Sequence, residues 1–219
     1  MRLNKYVALS STLSRRAADA AIASGRVTIN AQIAATGASV AASDVVKLDG
    51  QRLEPPETET IMLNKPVGYV VSRDGQGSPT VYELLPSAYH SLQPVGRLDK
   101  NSSGLLLLTN DGQLANELTH PRYAKQKIYR VQLDNALSEY DAQRISQGIR
   151  LEDGLSTLRL SGTAKHWTVK MSEGRNRQIR RTFAALGYEV LALHRESFGA
   201  YTLGKLEAGQ WLVVDNLVT

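Results

Sequence analysis

The chain has 219 residues, a 42% hydrophobic fraction and no cysteine, enough apolar material for a buried core and no means of forming disulfides or thiolate metal sites. Its 26 Lys and Arg against 21 Asp and Glu give a net charge of +5, which suits a polyanionic partner where the charges cluster. Four scattered histidines, His90, His120, His166 and His194, lack paired ligand spacing, so neither metal nor cofactor is expected. No run of about eighteen apolar residues occurs, so a cytoplasmic protein without membrane contact is expected.

The N-terminal segment reads as helix, helix, then short strands. In "SRRAADAAIASG", Ser14 is a candidate cap, Ala18, Ala21 and Ile22 form an apolar stripe, and Gly25 is a helix stop. "RVTIN" alternates like a strand, and "VVKLDGQRL" places an Asp49-Gly50 hairpin turn between two more. The Pro-rich, acidic "EPPETET" reads as a linker, which sets a boundary near residue 57 and two domains, 1–57 and 58–219.

Beyond it, "IMLNKPVGYVVS" reads as strand, turn, strand. "GLLLLT" is a central strand, "QLANELTH" a short helix after Asp111-Gly112, and "KIYRVQL" a strand with Tyr129, Val131 and Leu133 on one face. "SEYDAQRISQGI" is a helix, "HWTVKMS" a strand, "RNRQIRRTFAALG" a helix closed by Gly187, and "YEVLALHR" a strand. This irregular alternation predicts an α+β protein with a mixed, largely antiparallel sheet flanked by helices.

Two basic clusters stand out. Arg2, Lys5, Arg15, Arg16 and Arg26 are opposed only by Asp19 up to residue 30. A solvated helix face is sufficient to explain such a run alone. In "SEGRNRQIRRTFAALG", Ile179, Phe183 and Leu186 form a core stripe, and Arg177, Arg180 and Arg181 share a neighbouring face by helical spacing. Crowded arginines call for phosphates or a buried carboxylate. Arg97 and Asp99 meanwhile sit just upstream of four leucines, where a charge must be paired or used.

The segment "RLNKYVALSSTLSRRAADAAIASGRVTIN" resembles the S4 (αL-type) RNA-binding module, with its early Arg-Leu, its Ser-Arg-Arg opening a second helix and its Gly-x-Val-x-x-Asn strand. "GRLDKNSSGLLLLTNDG" resembles the central motif of the pseudouridine synthases, in the form of the branch containing RsuA, RluB, RluE and RluF. "LNKPVGYVVS" and "EGRNRQIRRTFAALGYEV" are similar to that family's first and third motifs. The four motifs, in order, span nearly the whole chain.

The resemblance implies an enzyme that isomerises uridine in RNA to pseudouridine without cofactor or metal. It makes Asp99 the catalytic carboxylate, acting at the ribose either by attack on C1′ or by removing the C2′ proton. It matches Arg180 to a third-motif arginine, taken as the partner that keeps Asp99 ionised near an apolar pocket. Tyr129 matches a tyrosine that stacks on the base, and Ile179 an apolar residue of the pocket floor. Arg97 is assigned to holding the displaced RNA open, Lys65 to ordering the catalytic loop or contacting RNA, and Arg177 and Arg181 to substrate. In the S4 module, Arg2, Lys5, Arg15, Arg16 and Arg26 are assigned to RNA phosphates and shape.

The expected substrate is ribosomal RNA, free or in an assembling subunit, at a large-subunit stem-loop, and the chain is expected to be a monomer. The alternatives are a small-subunit or tRNA pseudouridine synthase and a non-catalytic S4-type assembly factor. A metal hydrolase using Asp99 with Asp111 is a further rival; turn chemistry explains Asp111 better.

Overall fold

The computed structural model describes residues 1–214. The chain forms two compact units, Met1–Thr58 and Glu59–Thr219. In the first, α1 (Leu3–Leu9) and α2 (Arg15–Ala23) precede β1 (Val27–Ile29), β2 (Gln32–Ile33), β3 (Val46–Leu48) and β4 (Gln51–Arg52). Ser14 caps α2 by accepting from the Ala17 amide at 3.2 Å. Leu3, Val7, Ala18, Ala21 and Ile22 pack with Val27, Val46 and Leu53 as one buried cluster. The strands form an antiparallel sheet in the order β2-β1-β3-β4. Asp49 and Gly50 both take positive φ, 51° and 81°, the geometry a two-residue hairpin requires.

The second unit contains β5 (Thr60–Lys65), β6 (Gln93–Pro94), β7 (Ser103–Thr109), α3 (Gly112–Thr119), β8 (Lys127–Leu133), α4 (Glu139–Gln147), β9 (Ile149–Leu151) and β10 (Gly154–Ser156). It continues through β11 (Arg159–Thr163), β12 (His166–Met171), α5 (Gln178–Ala184), β13 (Val190–Phe198), β14 (Tyr201–Thr202) and β15 (Trp211–Val213). Its main sheet runs β11-β12-β8-β13-β7-β5-β15, with β14 on β13 and β6 on β7. Every pairing in it is antiparallel except that of β13 with β7. The fold is therefore α+β with a mixed, largely antiparallel sheet.

The four leucines make sense at the centre of that sheet. Leu106 and Leu108 enter one buried cluster, Leu105 and Leu107 another, so β7 is covered on both faces and reads as a continuous apolar run. Gly104 allows the parallel contact with β13, since a Cβ there would lie 2.2 Å from the Arg195 carbonyl oxygen.

Two predicted elements differ. Residues 69–72 form no strand: Val70 makes one isolated bridge to Thr80. The Val70 amide donates to Pro79 O and the Val81 amide to Val70 O, but Pro79 has no amide to extend the ladder. The chain instead enters a 3-10 turn at Val81–Leu84, where the Thr80 amide donates to Glu83 Oε1 at 2.7 Å. The last predicted helix is also shorter at its start, because Arg177 sits in the left-handed region with φ 47°.

Candidate active site

Asp99 lies in the short segment between β6 and β7, and its backbone is fastened from two directions. Its carbonyl accepts from the Ser102 amide at 3.0 Å and from Lys65 Nζ at 3.2 Å. Lys65, at the end of β5, is fully buried and also donates to Pro66 O at 3.0 Å and Ser102 O at 2.7 Å. Its three ammonium donors thus tie the first-motif turn to the Asp99 loop. Burial without a directly paired carboxylate pushes Lys65 down to about 8, against the opposing pull of Asp99. The expectation that Lys65 touches substrate is corrected: its charge is used internally, and the loop-ordering alternative fits.

The Asp99 side chain is 35% exposed, and Arg177 Nη1 stands 3.6 Å from its Oδ2. Arg180 is placed otherwise than expected. Its Nη1 donates to Val190 O at 2.6 Å and its Nη2 to Asn101 O at 2.7 Å. Burial first, then repulsion from Arg177, holds its guanidinium below the ordinary arginine value, with Asp99 opposing. Arg180 therefore clamps the Asp99 loop to β13, and the direct ion pair belongs to Arg177.

A cleft of about 550 Å³ opens beside Asp99. Its walls include Tyr129 from β8 and Ile179 from α5, 8% and 5% exposed. Tyr129 is opposite Val169 on one side and Arg195 on the other, so three strands fix its ring direction. Arg97 lines the same cleft and is exposed. Ser102, also in the wall, is 1% exposed, with a buried hydroxyl that has no hydrogen-bond partner.

Arg181 does not join this group. Its Nη2 meets Asp153 Oδ2 at 2.6 Å and its Nε donates to Asn176 O at 2.9 Å. It lines a separate cavity of about 570 Å³ with Arg177 and Arg180. The three arginines thus share one cavity, as their spacing suggested, although Arg177 precedes the helix. Asp111 likewise does not line the cleft beside Asp99, its Oδ1 capping α3 through the amides of Gln113 and Leu114. His194 Nδ1 is 2.9 Å from Ser103 Oγ, and His120 Nδ1 accepts from the Arg122 amide.

The basic residues expected in the first unit lie at its surface. Arg2, Arg15, Arg16 and Arg26 are exposed and Lys5 partly so. Arg26 is bound by Asp49 through two contacts of 2.9 and 2.5 Å. Arg15 and Arg16 occupy the first turn of α2, where there is no acidic residue.

Sequence reading passed over two cleft cations, Lys127 and Arg195. Lys127 had a local signal, two residues before Tyr129 on the same strand. Arg195 had none, because only the pairing of β13 with β7 and β8 brings it there.

Comparison with known proteins bears on the family and the fold. Residues 59–185 match the model of the RNA pseudouridylate synthase family. An uncharacterized RNA pseudouridine synthase of Aquifex aeolicus is 36% identical over 96% of this chain and 89% of its own. Ribosomal large subunit pseudouridine synthase B of Bacillus subtilis is 35% identical over 95% of this chain and 89% of its own. Two Xanthomonas proteins of that name are longer, and the chain spans 40% and 44% of them. A crystal structure of a pseudouridylate synthase superposes with a TM-score of 0.70 at 32% identity, covering 98% of this chain and 96% of the other. The family motifs, the fold and the cleft around Asp99 converge: the chain belongs to the RNA pseudouridylate synthase family.

Proposed function

We propose that this enzyme isomerises a uridine of large-subunit ribosomal RNA, with the Asp99 carboxylate as the group that acts on the ribose. The observation that carries the reading is the placement of Asp99. Its backbone is pinned by Lys65 and Ser102, its carboxylate is open to the cleft, and Arg177 faces it at 3.6 Å. A carboxylate held in that way is pre-positioned for attack at the sugar of a nucleotide in the cleft.

The reaction breaks C1′–N1 and forms C1′–C5; the C5 proton departs and N1 gains one, so the product is an isomer. Asp99 begins it by attack on C1′ or by removal of the C2′ proton. Tyr129 and Ile179 hold the freed uracil between them while it turns, and Tyr129 is the base-stacking residue. The uridine leaves its helix to reach Asp99, at a cost of a few kcal/mol. Arg97, exposed at the cleft, occupies the opened RNA, and the Arg177 guanidinium also serves substrate.

The first unit acts as an S4 RNA-binding module. Arg15 and Arg16 in the first turn of α2 support this: cations at the positive end of a helix dipole are unfavourable unless an anion answers them. RNA phosphates are such anions, and Arg2 and Lys5 extend the basic surface. The large-subunit choice follows the Bacillus subtilis relative's name.

Mapping pseudouridine across both ribosomal RNAs of cells lacking the chain tests the proposal. Loss of one large-subunit site, restored by the natural chain and not by Asp99→Asn, is expected. A lost small-subunit site overturns the substrate choice, and restoration by Asp99→Asn overturns the role of Asp99.

A further inference from the structure

The cleft holds more positive charge than its described carboxylates answer. Lys127 and Tyr129 are two residues apart on β8 and face the same side of the sheet. Arg195 is directly opposite Tyr129 on β13, so all three share that face. Lys127 Nζ and the Arg195 guanidinium lie 4.9 and 5.0 Å from the Phe198 ring centre. Both cations therefore lie against one aromatic ring of the cleft lining.

Neither takes part in a described ion pair. Glu196, next to Arg195 in sequence, bonds Arg130 at 2.6 Å on the other face. Of the cleft carboxylates, Asp99 faces Arg177, and Glu173 is engaged by Gln178 and Arg175. Arg195 is 2% exposed; its Nε donates to Leu105 O at 2.7 Å, and its Nη2 is buried with no partner. Lys127 Nζ has one described hydrogen bond, to Ser172 O at 3.2 Å. A guanidinium left with an unused donor beside a second cation is costly unless the site receives an anion. Mutual repulsion is felt already: burial first, and then Arg195, hold Lys127 below its ordinary value.

We propose that Lys127 and Arg195 form an anion subsite in the cleft that takes a phosphodiester group adjoining the target uridine. The inference rests on the RNA-modifying reading of the same cleft and adds to it the means of anchoring the extruded nucleotide by its backbone. A phosphate oxygen between the two cations satisfies the unused guanidinium donor and relieves the repulsion. A neutral uracil carbonyl supplies a hydrogen bond and leaves the repulsion unrelieved, so the charge balance selects phosphate.

Equilibrium binding of uridine, uridine 3′-monophosphate and uridine 5′-monophosphate to the full chain tests this at low salt. One monophosphate is expected to bind about tenfold more tightly than uridine, and Lys127→Gln to reduce that advantage to within about twofold. Arg195→Lys is measured alongside; because Arg195 anchors the Leu105 carbonyl, Lys127→Gln carries the decision if Arg195→Lys does not fold. Equal affinity for all three compounds, absence of monophosphate binding, or a phosphate preference that survives Lys127→Gln overturns the subsite. Binding is read without turnover, so a chain that modifies no RNA yet prefers a monophosphate through Lys127 refutes the functional reading and leaves the subsite standing.

Discussion

Replacing Lys65 with Met separates the two tasks of a buried lysine. In the natural chain the displacement of Lys65 from 10.5 to about 8 corresponds to roughly 3 kcal/mol of cost for burying its charge at neutral pH. Methionine removes that cost but strips donors from the carbonyls of Pro66, Asp99 and Ser102. The Asp99 carbonyl keeps the Ser102 amide, so two carbonyls are orphaned at about 1–3 kcal/mol each, and against the roughly 3 kcal/mol regained the variant should lose about 1 kcal/mol at pH 7. The sign of the pH dependence is fixed. Between pH 8 and 10.5 the unfolded chain binds more protons at this site than the folded one, so the natural protein gains stability as pH rises. Its advantage over Lys65→Met should therefore widen by roughly 2–3 kcal/mol between pH 7 and 10 in paired denaturant melts. Turnover should fall about a hundredfold, since the loop bearing Asp99 loses its tether. A variant as stable as the natural chain at both pH values, with natural turnover, would refute the assignment of Lys65 as the loop's anchor.

Arg177→Gln should change stability by about 0.5 kcal/mol or less, its ion pair being long and partly exposed, while single-turnover rate falls about tenfold. Arg180→Gln should do the reverse in emphasis, costing about 2 kcal/mol in a thermal or denaturant melt through the carbonyls of Asn101 and Val190. Gly104→Ala should destabilise by at least about 3 kcal/mol, because the new Cβ meets the Arg195 backbone at 2.2 Å and φ is +104°; a melt within 1 kcal/mol of the natural chain would contradict that contact.

Much of the architecture was legible because it rests on local chemistry. The Asp49-Gly50 turn, the Ser14 cap and the leucine run each carry their cause within a few residues. Asp111 was read as turn chemistry and also caps α3. What escaped depends on contacts between distant segments. Periodicity assigned Arg177 to a helix face, whereas its left-handed backbone turns it toward Asp99 and leaves Arg180 to hold the loop. Lys65 was read as ordering the loop or contacting RNA, and spacing did not choose between them; its burial is made tolerable by three carbonyls from two distant segments, Pro66 and the Asp99–Ser102 turn. Arg195 lies inside an ordinary strand, and only pairing with β7 and β8 carries it into the cleft. The strand expected at residues 69–72 failed for a similar reason, its partner being broken at Pro79.

The central claim is that the Asp99 carboxylate isomerises uridine in ribosomal RNA. The most direct measurement is single-turnover formation of pseudouridine in transcribed large-subunit RNA by the natural chain and by Asp99→Asn, with RNA binding and melting followed in parallel. The carboxylate makes one long ion pair at the surface of the cleft, so the variant should fold and bind RNA as the natural chain does. It should form no detectable pseudouridine. Turnover by Asp99→Asn at a rate near that of the natural chain would contradict the account.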